Sequence, residues 1–483
     1  MLNYFFTLLI FLCPFFSFSQ WVLTSQEDYT FETIETYDGS YVFAAQDWSN
    51  ANPILYKVDS NGCPLWEMDL GIPDGIVYGI QETEDNGLII SGCLADDYDS
   101  EGFLIKTDSS GNQEWIYIYS VPSKSFQIQV IIDDNGEYVT TGGFEYGYNN
   151  MNGYFIKKVD QNGNETFSEI YNTESLMGIS GINKTSDNGI IITGWIDTPS
   201  TSILLIKIDS NGNVEWTQVF NEGTYGSRGH NVIQVSQGGY LISSTVNLQE
   251  WGNSGNWGKG SLIKTDSEGE IEWQKFYDGG SQDYLSAAWE NGRGGQLIEV
   301  LEESNGNFTA VGVTKDYGPE IEDNYGWVLK TDSNGNEIES YYYGTTTSHF
   351  HPNEIIKSSD GGYVISGYSQ LISWDDWQGG NDVIVMKIDD DGSTCLSFFE
   401  EGSCNVCSNE NQDNYEEIDL GENITTCDES VTLDAGEGYD LYEWSTGENT
   451  QTITLTESGS YSVEVGNLES FLIENNYSMY FDG

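Results

Sequence analysis

The chain consists largely of short apolar runs separated by tight polar turns. One copy of this pattern, within residues 178–220, contains in order GISGINKT, SDNG, IIITGW, TPSTS, ILLIKI, DSNG and NVEWTQVF. Short β-branched runs separated by Asn-Gly or Asp-Gly are the strongest local signal for β-hairpins. The pattern therefore predicts four antiparallel strands, with tight turns after the first and third strands and a longer loop after the second.

The same pattern recurs seven times, and each copy carries a lysine, an aspartate and a glycine at fixed positions. The Lys-x-Asp pairs are Lys57/Asp59, Lys106/Asp108, Lys158/Asp160, Lys207/Asp209, Lys264/Asp266, Lys330/Asp332 and Lys387/Asp389. The turn glycines that follow are Gly62, Gly111, Gly163, Gly212, Gly269, Gly335 and Gly392. Copies lie roughly 48–57 residues apart with one longer gap, which is the spacing of propeller blades. Because a single four-stranded unit cannot bury both of its faces, we expect an all-β fold with a seven-bladed β-propeller.

Each position of the repeated motif has a structural interpretation. The glycine takes a positive φ angle without steric cost, and the aspartate binds the turn amides. Large side chains four residues after the glycine are predicted to fill the space between blades. They are Trp66, Trp115, Phe167, Trp216 and Trp273, whereas Glu339 and Leu396 break the pattern in the last two copies. We expect the lysine, as at Lys207, to bury its stem and pair with a neighbouring carboxylate.

The Asp-Ser-Asn-Gly loops also raise the question of calcium. Calcium loops of the kind D-x-[DN]-x-[DN]-G place glycine at the sixth position. Glycine is fourth in the loops of this chain, as Asp209 and Gly212 illustrate. A hairpin turn is therefore favoured over a metal loop, and no cofactor is predicted, since the loop spacing does not indicate calcium.

The two ends of the predicted blades differ in their connections. In a four-stranded meander the tight turns share one face, here called the tight-turn face, and the longer connections share the other, here called the variable-connection face. Function in such scaffolds lies on variable loops. Aromatic side chains among Asp, Asn and Gln residues on that face fit sugar rings, and the candidates are Trp251, Trp257, Trp374, Trp377, Tyr146, Tyr148 and Tyr317. The alternatives are that these aromatics only cap the blade edges or that they bind a protein partner.

Signatures of catalysis are weak. His349 and His351 lie on the same side of an extended segment and are weak candidates for a metal site, although loop polarity explains them equally well. The chain has three histidines, no glycine-rich phosphate loop and no G-x-S-x-G nucleophile elbow. Carboxylate pairs suited to glycoside hydrolysis are too numerous to single out. No catalytic residue is assigned.

Charge and the N-terminal segment indicate where the protein works. The chain has 16 basic and 78 acidic residues and a formal net charge of -62. Such a surface repels phosphate backbones and anionic membranes, which excludes nucleic acid as a partner. The apolar start has the length of a signal peptide, with Ser17 and Ser19 at the cleavage positions, and no later segment is apolar enough to span a bilayer. We therefore expect a secreted or cell-surface protein.

The repeat pattern and composition predict five segments. They are 1–19, a signal peptide; 20–399, the propeller; 400–417, a Cys/Asn/Glu-rich linker; 418–467, a small β-sandwich; and 468–483, a linker with the start of a truncated further domain. Cys63 and Cys93 are not expected to pair, because Cys63 follows a tight-turn glycine, Cys93 lies at the far end of its strand, and a five-residue strand spans roughly 17 Å. Four later cysteines are expected to form disulfides, with three connectivities open. These are Cys395, Cys404, Cys407 and Cys427.

Several stretches resemble a known group of proteins. SDGGYVISGYS, VIVMKIDDDG and LIKTDSxGNxEW are similar to the propeller repeats of secreted proteins from Bacteroidota. CDESVTLDAGEGYDLYEWSTGENTQTITLTESGSYSVEV resembles the immunoglobulin- or PKD-like modules that follow those repeats. The final NNYSMYFDG resembles the first strand of a laminin-G/concanavalin-like domain, which implies that the chain is a fragment. The resemblance implies secretion or surface display and carries over no catalytic residue.

Together these features favour an exported, multidomain, non-catalytic binding or adhesion protein, whose partner is a polysaccharide or a cell-surface protein. The alternative is a polysaccharide-active enzyme, a hydrolase or lyase, or an accessory domain of one. The sequence also predicts how the ring closes: Trp21–Thr24 docks as the outermost strand of the seventh blade, beside 382–388. In the alternative, STCLSFF completes that blade and Trp21 packs on the surface.

Overall fold

The structure is a computed structural model of the chain. It describes residues 21–25, 30, 32–45, 52–73, 75–94, 101–120, 124–146, 151–173, 175–197, 201–221, 226–246, 258–277, 295–314, 325–343, 348–371, 381–392, 431–434, 441–444, 450–455 and 463–466. Within these ranges no helix has the length and apolarity needed to cross a membrane. The chain divides into two compact units, Met1–Val406 and Cys407–Gly483.

The first unit is a seven-bladed β-propeller, as the repeats predict. Its strands β1 to β28, in chain order, are Trp21–Ser25, Thr33–Glu35, Tyr41–Ala45, Ile54–Val58, Pro64–Asp69, Gly75–Glu82, Leu88–Leu94, Glu101–Thr107, Gln113–Ser120, Lys124–Ile132, Tyr138–Tyr146, Met151–Val159, Glu165–Thr173, Leu176–Lys184, Ile190–Asp197, Thr201–Ile208, Val214–Phe220, Ser227–Gln234, Tyr240–Val246, Lys259–Thr265, Ile271–Tyr277, Gly295–Glu302, Phe308–Thr314, Tyr325–Thr331, Glu337–Tyr343, Ser348–Lys357, Tyr363–Leu371 and Asn381–Ile388. They form seven four-stranded antiparallel sheets. Blades one to six are β2–β5, β6–β9, β10–β13, β14–β17, β18–β21 and β22–β25.

The first strands of the seven blades form the inner wall of the ring. Each first strand contacts the first strand of the next blade, around the whole ring. These strands are β2, β6, β10, β14, β18, β22 and β26, and β26 contacts β2. The second strand of blade five, β19, is buried along its whole length, whereas the fourth strand of blade four, β17, alternates between exposed and covered residues. This difference arises because middle strands are covered by neighbouring blades on both faces.

The hydrophobic core lies between neighbouring blades. Val42 and Leu55 of blade one share a buried cluster with Ile80 and Phe103 of blade two. Each blade therefore depends on its neighbours to cover its apolar faces, which is the property that requires a closed ring.

The ring closes with the N-terminal strand. β1 pairs antiparallel with β28, from Trp21 opposite Lys387 to Ser25 opposite Val383. Blade seven therefore has the strand order β1-β28-β27-β26. The predicted position of Trp21–Thr24 is confirmed.

The second unit contributes four short strands: β29, Val431–Asp434; β30, Leu441–Trp444; β31, Thr452–Leu455; and β32, Val463–Gly466. β29 pairs with β31 and β30 pairs with β32, both antiparallel. The β-sandwich interpretation and the boundaries at 400–417, 418–467 and 468–483 stay predictions. The predicted signal peptide, 1–19, lies outside the described residues.

Candidate functional site

Lys207 shows the role of the repeated lysine on the tight-turn face. Its side chain is 3% exposed, and its Nζ lies 2.9 Å from Asp187 Oδ2 and 3.0 Å from Glu215 Oε2. Asp187 belongs to the turn between β14 and β15, and Glu215 lies on β17. Burial opposes ionisation of Asp187, but hydrogen bonds from Thr185 and Lys207 lower its pKa to about 2. The buried stem and the carboxylate pairing are as predicted, and this one lysine ties a first turn to a fourth strand.

In four further blades the lysine pairs with an aspartate of the first turn. These pairs are Lys57–Asp38 at 2.8 Å, Lys106–Asp85 at 2.9 Å, Lys158–Asp133 at 3.2 Å and Lys387–Asp360 at 2.5 Å. The first turns of blades five and six carry no aspartate. In blade five Lys264 pairs with Glu272 of the fourth strand at 2.8 Å, and in blade six the ammonium of Lys330 lies 4.8 Å from the ring centre of Tyr363 and 5.8 Å from that of Tyr341. The repeated lysine is therefore a structural element of the blades.

Aromatic side chains of the preceding blade pack against the turn glycines. Gly269 has a φ of 82°, and a Cβ placed on it would lie 2.7 Å from Cζ3 of Trp216 in blade four. The same approach joins Trp66 to Gly111, Trp115 to Gly163, Phe167 to Gly212 and Trp273 to Gly335. Tyr341 takes this place against Gly392, two residues beyond Glu339, where the sequence pattern breaks. The predicted packing of these aromatics between blades is confirmed.

Carboxylates at the ends of inner strands join neighbouring blades on the same face. Glu302 accepts hydrogen bonds from the backbone N–H of Ser236 at 2.7 Å and from its hydroxyl at 2.6 Å. Glu35 accepts the equivalent bonds from Ser359 at 2.8 and 2.5 Å across the seam of the ring. Each carboxylate thus caps the first turn of the preceding blade. Many polar groups of the tight-turn face are accordingly engaged in holding blades together.

A second set of contacts joins the inner strands near the axis. Inner strands bulge in mid-strand, for example between Pro352 and Glu354. Past this bulge, Glu354 accepts a hydrogen bond of 2.6 Å from the backbone N–H of Thr33 in blade one. Gln129 of blade three accepts the equivalent bond, 3.0 Å long, from Ile182 of blade four.

Three carboxyl groups, on or directly before the inner strands of adjacent blades, hold their protons more tightly than usual. Burial raises the pKa of Glu354 to about 8, although the Thr33 hydrogen bond opposes the shift. Burial also raises the pKa of Glu299 and of Glu32, and the charge of Glu354 adds to both shifts. No group of three or more His, Cys, Asp or Glu side chains within the described ranges is arranged to hold a metal ion.

Most of the predicted ligand-binding aromatics lie outside the described residues. These are Trp251, Trp257, Trp374, Trp377, Tyr148 and Tyr317. Tyr146 is the last residue of β11 and pairs with Met151 of β12, which places it at the variable-connection end of blade three. The binding role of all seven stays a prediction.

The predicted histidine pair lies on one inner strand. His349 is opposite Gln370, and His351 is opposite Tyr368, in the pairing of β26 with β27. The His351 ring stacks on Tyr368, with centres 4.8 Å apart and planes 5° from parallel. Stacking gives His351 a packing role, and a metal role stays untested.

The propeller cysteines do not pair with each other, as expected. Cys93 is buried and free. Cys63 is disulfide-bonded, so its partner is a cysteine outside the described residues. This bond had not been expected from the sequence, which grouped only the four later cysteines.

A pair that the sequence analysis missed lies on the variable-connection side of blades four and five. Arg228, the second residue of β18, places its guanidinium 5.0 Å from the ring centre of Trp195 on β15. His230, two residues further, has its Nε2 at 2.8 Å from the Thr245 hydroxyl. Burial, followed by the charge of Arg228, lowers the pKa of His230 to about 4. The available signal was rarity, since Arg228 and Arg293 are the two arginines of the sequence.

Comparison with known proteins finds similar solved structures but no matching family. No protein-family model matches the chain, and no curated protein matches it. A protein of unknown function from Dyadobacter fermentans is similar at 10% identity and a TM-score of 0.40, over 77% of this chain and 98% of that one. A protein from Lactobacillus plantarum is similar at 9% identity and a TM-score of 0.45, over 73% and 93%. The periplasmic gluconolactonase of Pseudomonas aeruginosa is similar at 9% identity and a TM-score of 0.43, over 75% and 96%. Likenesses of this size carry no argument about activity.

Proposed function

We propose that this chain is an exported binding protein that holds a glycan on the variable-connection face of its propeller. One observation supports the choice of face: the repeated lysines, the turn aspartates and the ends of the inner strands on the opposite face are engaged with each other. Propellers place their ligands on long connections that vary in sequence, and the repeat pattern assigns the long connections of this chain to the variable-connection face.

The sequence of those connections supports glycans as the ligand class. Trp251 and Trp374 stand among Asp, Asn and Gln residues, and flat aromatic rings beside polar hydrogen-bonding groups suit sugar rings. Export is supported by the apolar segment 1–19 and by the net charge of -62. A cell-surface protein is the other partner that such a face would accept.

One observation favours an enzyme instead. A carboxyl group whose pKa is near neutrality can act as a general acid, and Glu354, with a pKa of about 8, lies on an inner strand near the axis. Against this role, Glu354 is engaged with the backbone N–H of Thr33 and so has a structural use. The binding function is therefore preferred.

Binding can be tested on an array of marine and plant polysaccharides. We expect at least one polysaccharide to bind, and the Trp251→Ala/Trp374→Ala double variant to weaken binding about tenfold or more, because stacked aromatic area is lost. Tyr37→Ala is the matched control, since Tyr37 is 73% exposed and lies on the tight-turn face. Its binding should equal that of the unmodified protein.

Three results would contradict this proposal. Absence of binding to every polysaccharide, or binding that is indifferent to the double variant, leaves the aromatics as caps of the blade edges. Release of new reducing ends from a bound polysaccharide would establish the enzyme in place of the binding protein.

A further inference from the structure

Arg228 is a cation that has no carboxylate partner among the residues the structure describes. Within the described ranges its guanidinium makes no ion pair and no hydrogen bond, and its Nε is buried without a partner. Acidic residues outnumber basic ones by 78 to 16, and the repeated lysines are paired in six of seven blades. An unsatisfied buried donor is unfavourable, so its retention indicates a use other than stability.

The surrounding packing holds this guanidinium in one place. The Trp195 ring beneath it rests on the backbone of β14, where a Cβ on Gly178 would lie 2.5 Å from Cζ2 of Trp195. Gly229, which follows Arg228, lies so close to Thr193 that no side chain fits there. The backbone of β18 is therefore locked against blade four, and a stacked guanidinium keeps its edge available for hydrogen bonds.

The neighbouring histidine, His230, adds no second positive charge beside Arg228. With its pKa lowered to about 4, His230 is neutral at pH 7, and its Nε2 is engaged with Thr245. The site therefore presents a single positive charge in the form of a planar fork of donors. That fork matches the two oxygens of a carboxylate.

We infer that Arg228, stacked on Trp195, is a carboxylate-binding subsite of the variable-connection face, and that it takes a uronic acid unit of the bound glycan. The choice of a sugar rests on the proposed function, and the choice of a carboxylate rests on the geometry around Arg228. The protein's net charge of -62 repels polyanions, so the ligand carries isolated acid units in an otherwise neutral chain.

The test follows the Arg228 Nε–H and His230 ring signals of the full chain by NMR at constant ionic strength. The probes are glucuronate, its methyl ester and acetate. Glucuronate should shift both signals and bind at least tenfold more tightly than the ester, with acetate weaker than glucuronate. Bound glucuronate should also raise the pKa of His230, because its charge offsets that of Arg228.

Three variants isolate the guanidinium. Arg228→Met keeps the stem over Trp195 and should abolish the preference for glucuronate over its ester. Arg228→Lys keeps the charge without the fork and should weaken glucuronate binding about tenfold, and it serves as the second variant if the methionine protein misfolds. Lys275→Met removes a cation from the fourth strand of the same blade and should change nothing.

The outcomes separate the two proposals. Equal binding of glucuronate and its ester overturns the subsite and leaves glycan binding standing. Equal binding of glucuronate and acetate supports the carboxylate subsite and contradicts its assignment to a uronic acid. Failure of both carboxylates to shift the signals overturns the subsite, whatever neutral sugars do.

Discussion

At the scale of single residues, the repeated lysine shows that this acidic protein uses many of its few basic residues in one structural position of the blades. Its role was predicted from recurrence alone, because a cation kept in one slot of seven copies requires a shared structural cause. The identity of its partners was not predictable. Asp187 is brought to Lys207 by the pairing of β15 with β16, and Glu215 by the pairing of β16 with β17, which only the folded blade defines.

Lys207→Met should destabilise the protein by about 3 kcal/mol, because the change leaves two carboxylates beside a buried apolar stem. Chemical denaturation at neutral pH measures this effect. Lys184→Met is the matched control: the Lys184 side chain is 38% exposed and lies 2.7 Å from Asp134, so its loss should cost less than about 1 kcal/mol. An unchanged unfolding free energy in Lys207→Met would contradict the structural role.

At the scale of elements, turns and strands were predictable because their signals are local, in Asp/Asn-Gly turns and β-branched runs. The bulges of the inner strands were not predictable. They arise where each inner strand meets the next blade, and the joining residue varies: Glu354 and Gln129 make the same bond in different blades. Three adjacent blades have a glutamate at this joint, namely Glu32, Glu299 and Glu354. Their raised pKa values make the free energy of unfolding depend on pH.

The folded protein holds the Glu354 proton up to about pH 8, whereas an unfolded glutamate releases it near pH 4.5. The folded state therefore binds more protons between these values, and the unfolding free energy falls as pH rises from about 4.5 to about 8. Glu354→Gln keeps the acceptor for Thr33 and removes the charge. Its melting temperature should exceed that of the unmodified protein at pH 9, and this advantage should shrink at pH 4.5.

Gln129→Glu is the reverse experiment at the equivalent joint in blade three. It should lower the melting temperature at pH 9 far more than at pH 4.5. A pH-independent difference in Glu354→Gln would contradict the raised pKa of Glu354, and one in Gln129→Glu would contradict the same effect at the joint in blade three.

At the scale of the whole molecule, seven copies predicted seven blades because each blade needs two neighbours. Closure was predicted from a gap in the pattern, since Leu396 replaces the aromatic of the seventh copy and Trp21 supplies one before the first. The Cys63 disulfide and the Arg228–Trp195 stack were missed. Both join parts of the chain that are distant in sequence, and neither has a periodic signal.

The central claim is that the repeats form one closed ring whose seam is sealed by β1. Hydrogen exchange at the backbone amides of Trp21–Ser25 tests it most directly, because ladder hydrogen bonds protect amides and a loosely packed N-terminus does not. Residues 383–387 of the paired strand β28 provide the internal reference. The ring predicts that the hydrogen-bonded amides of β1 exchange orders of magnitude more slowly than in an unfolded peptide. Exchange of all five amides at the unfolded rate would contradict it.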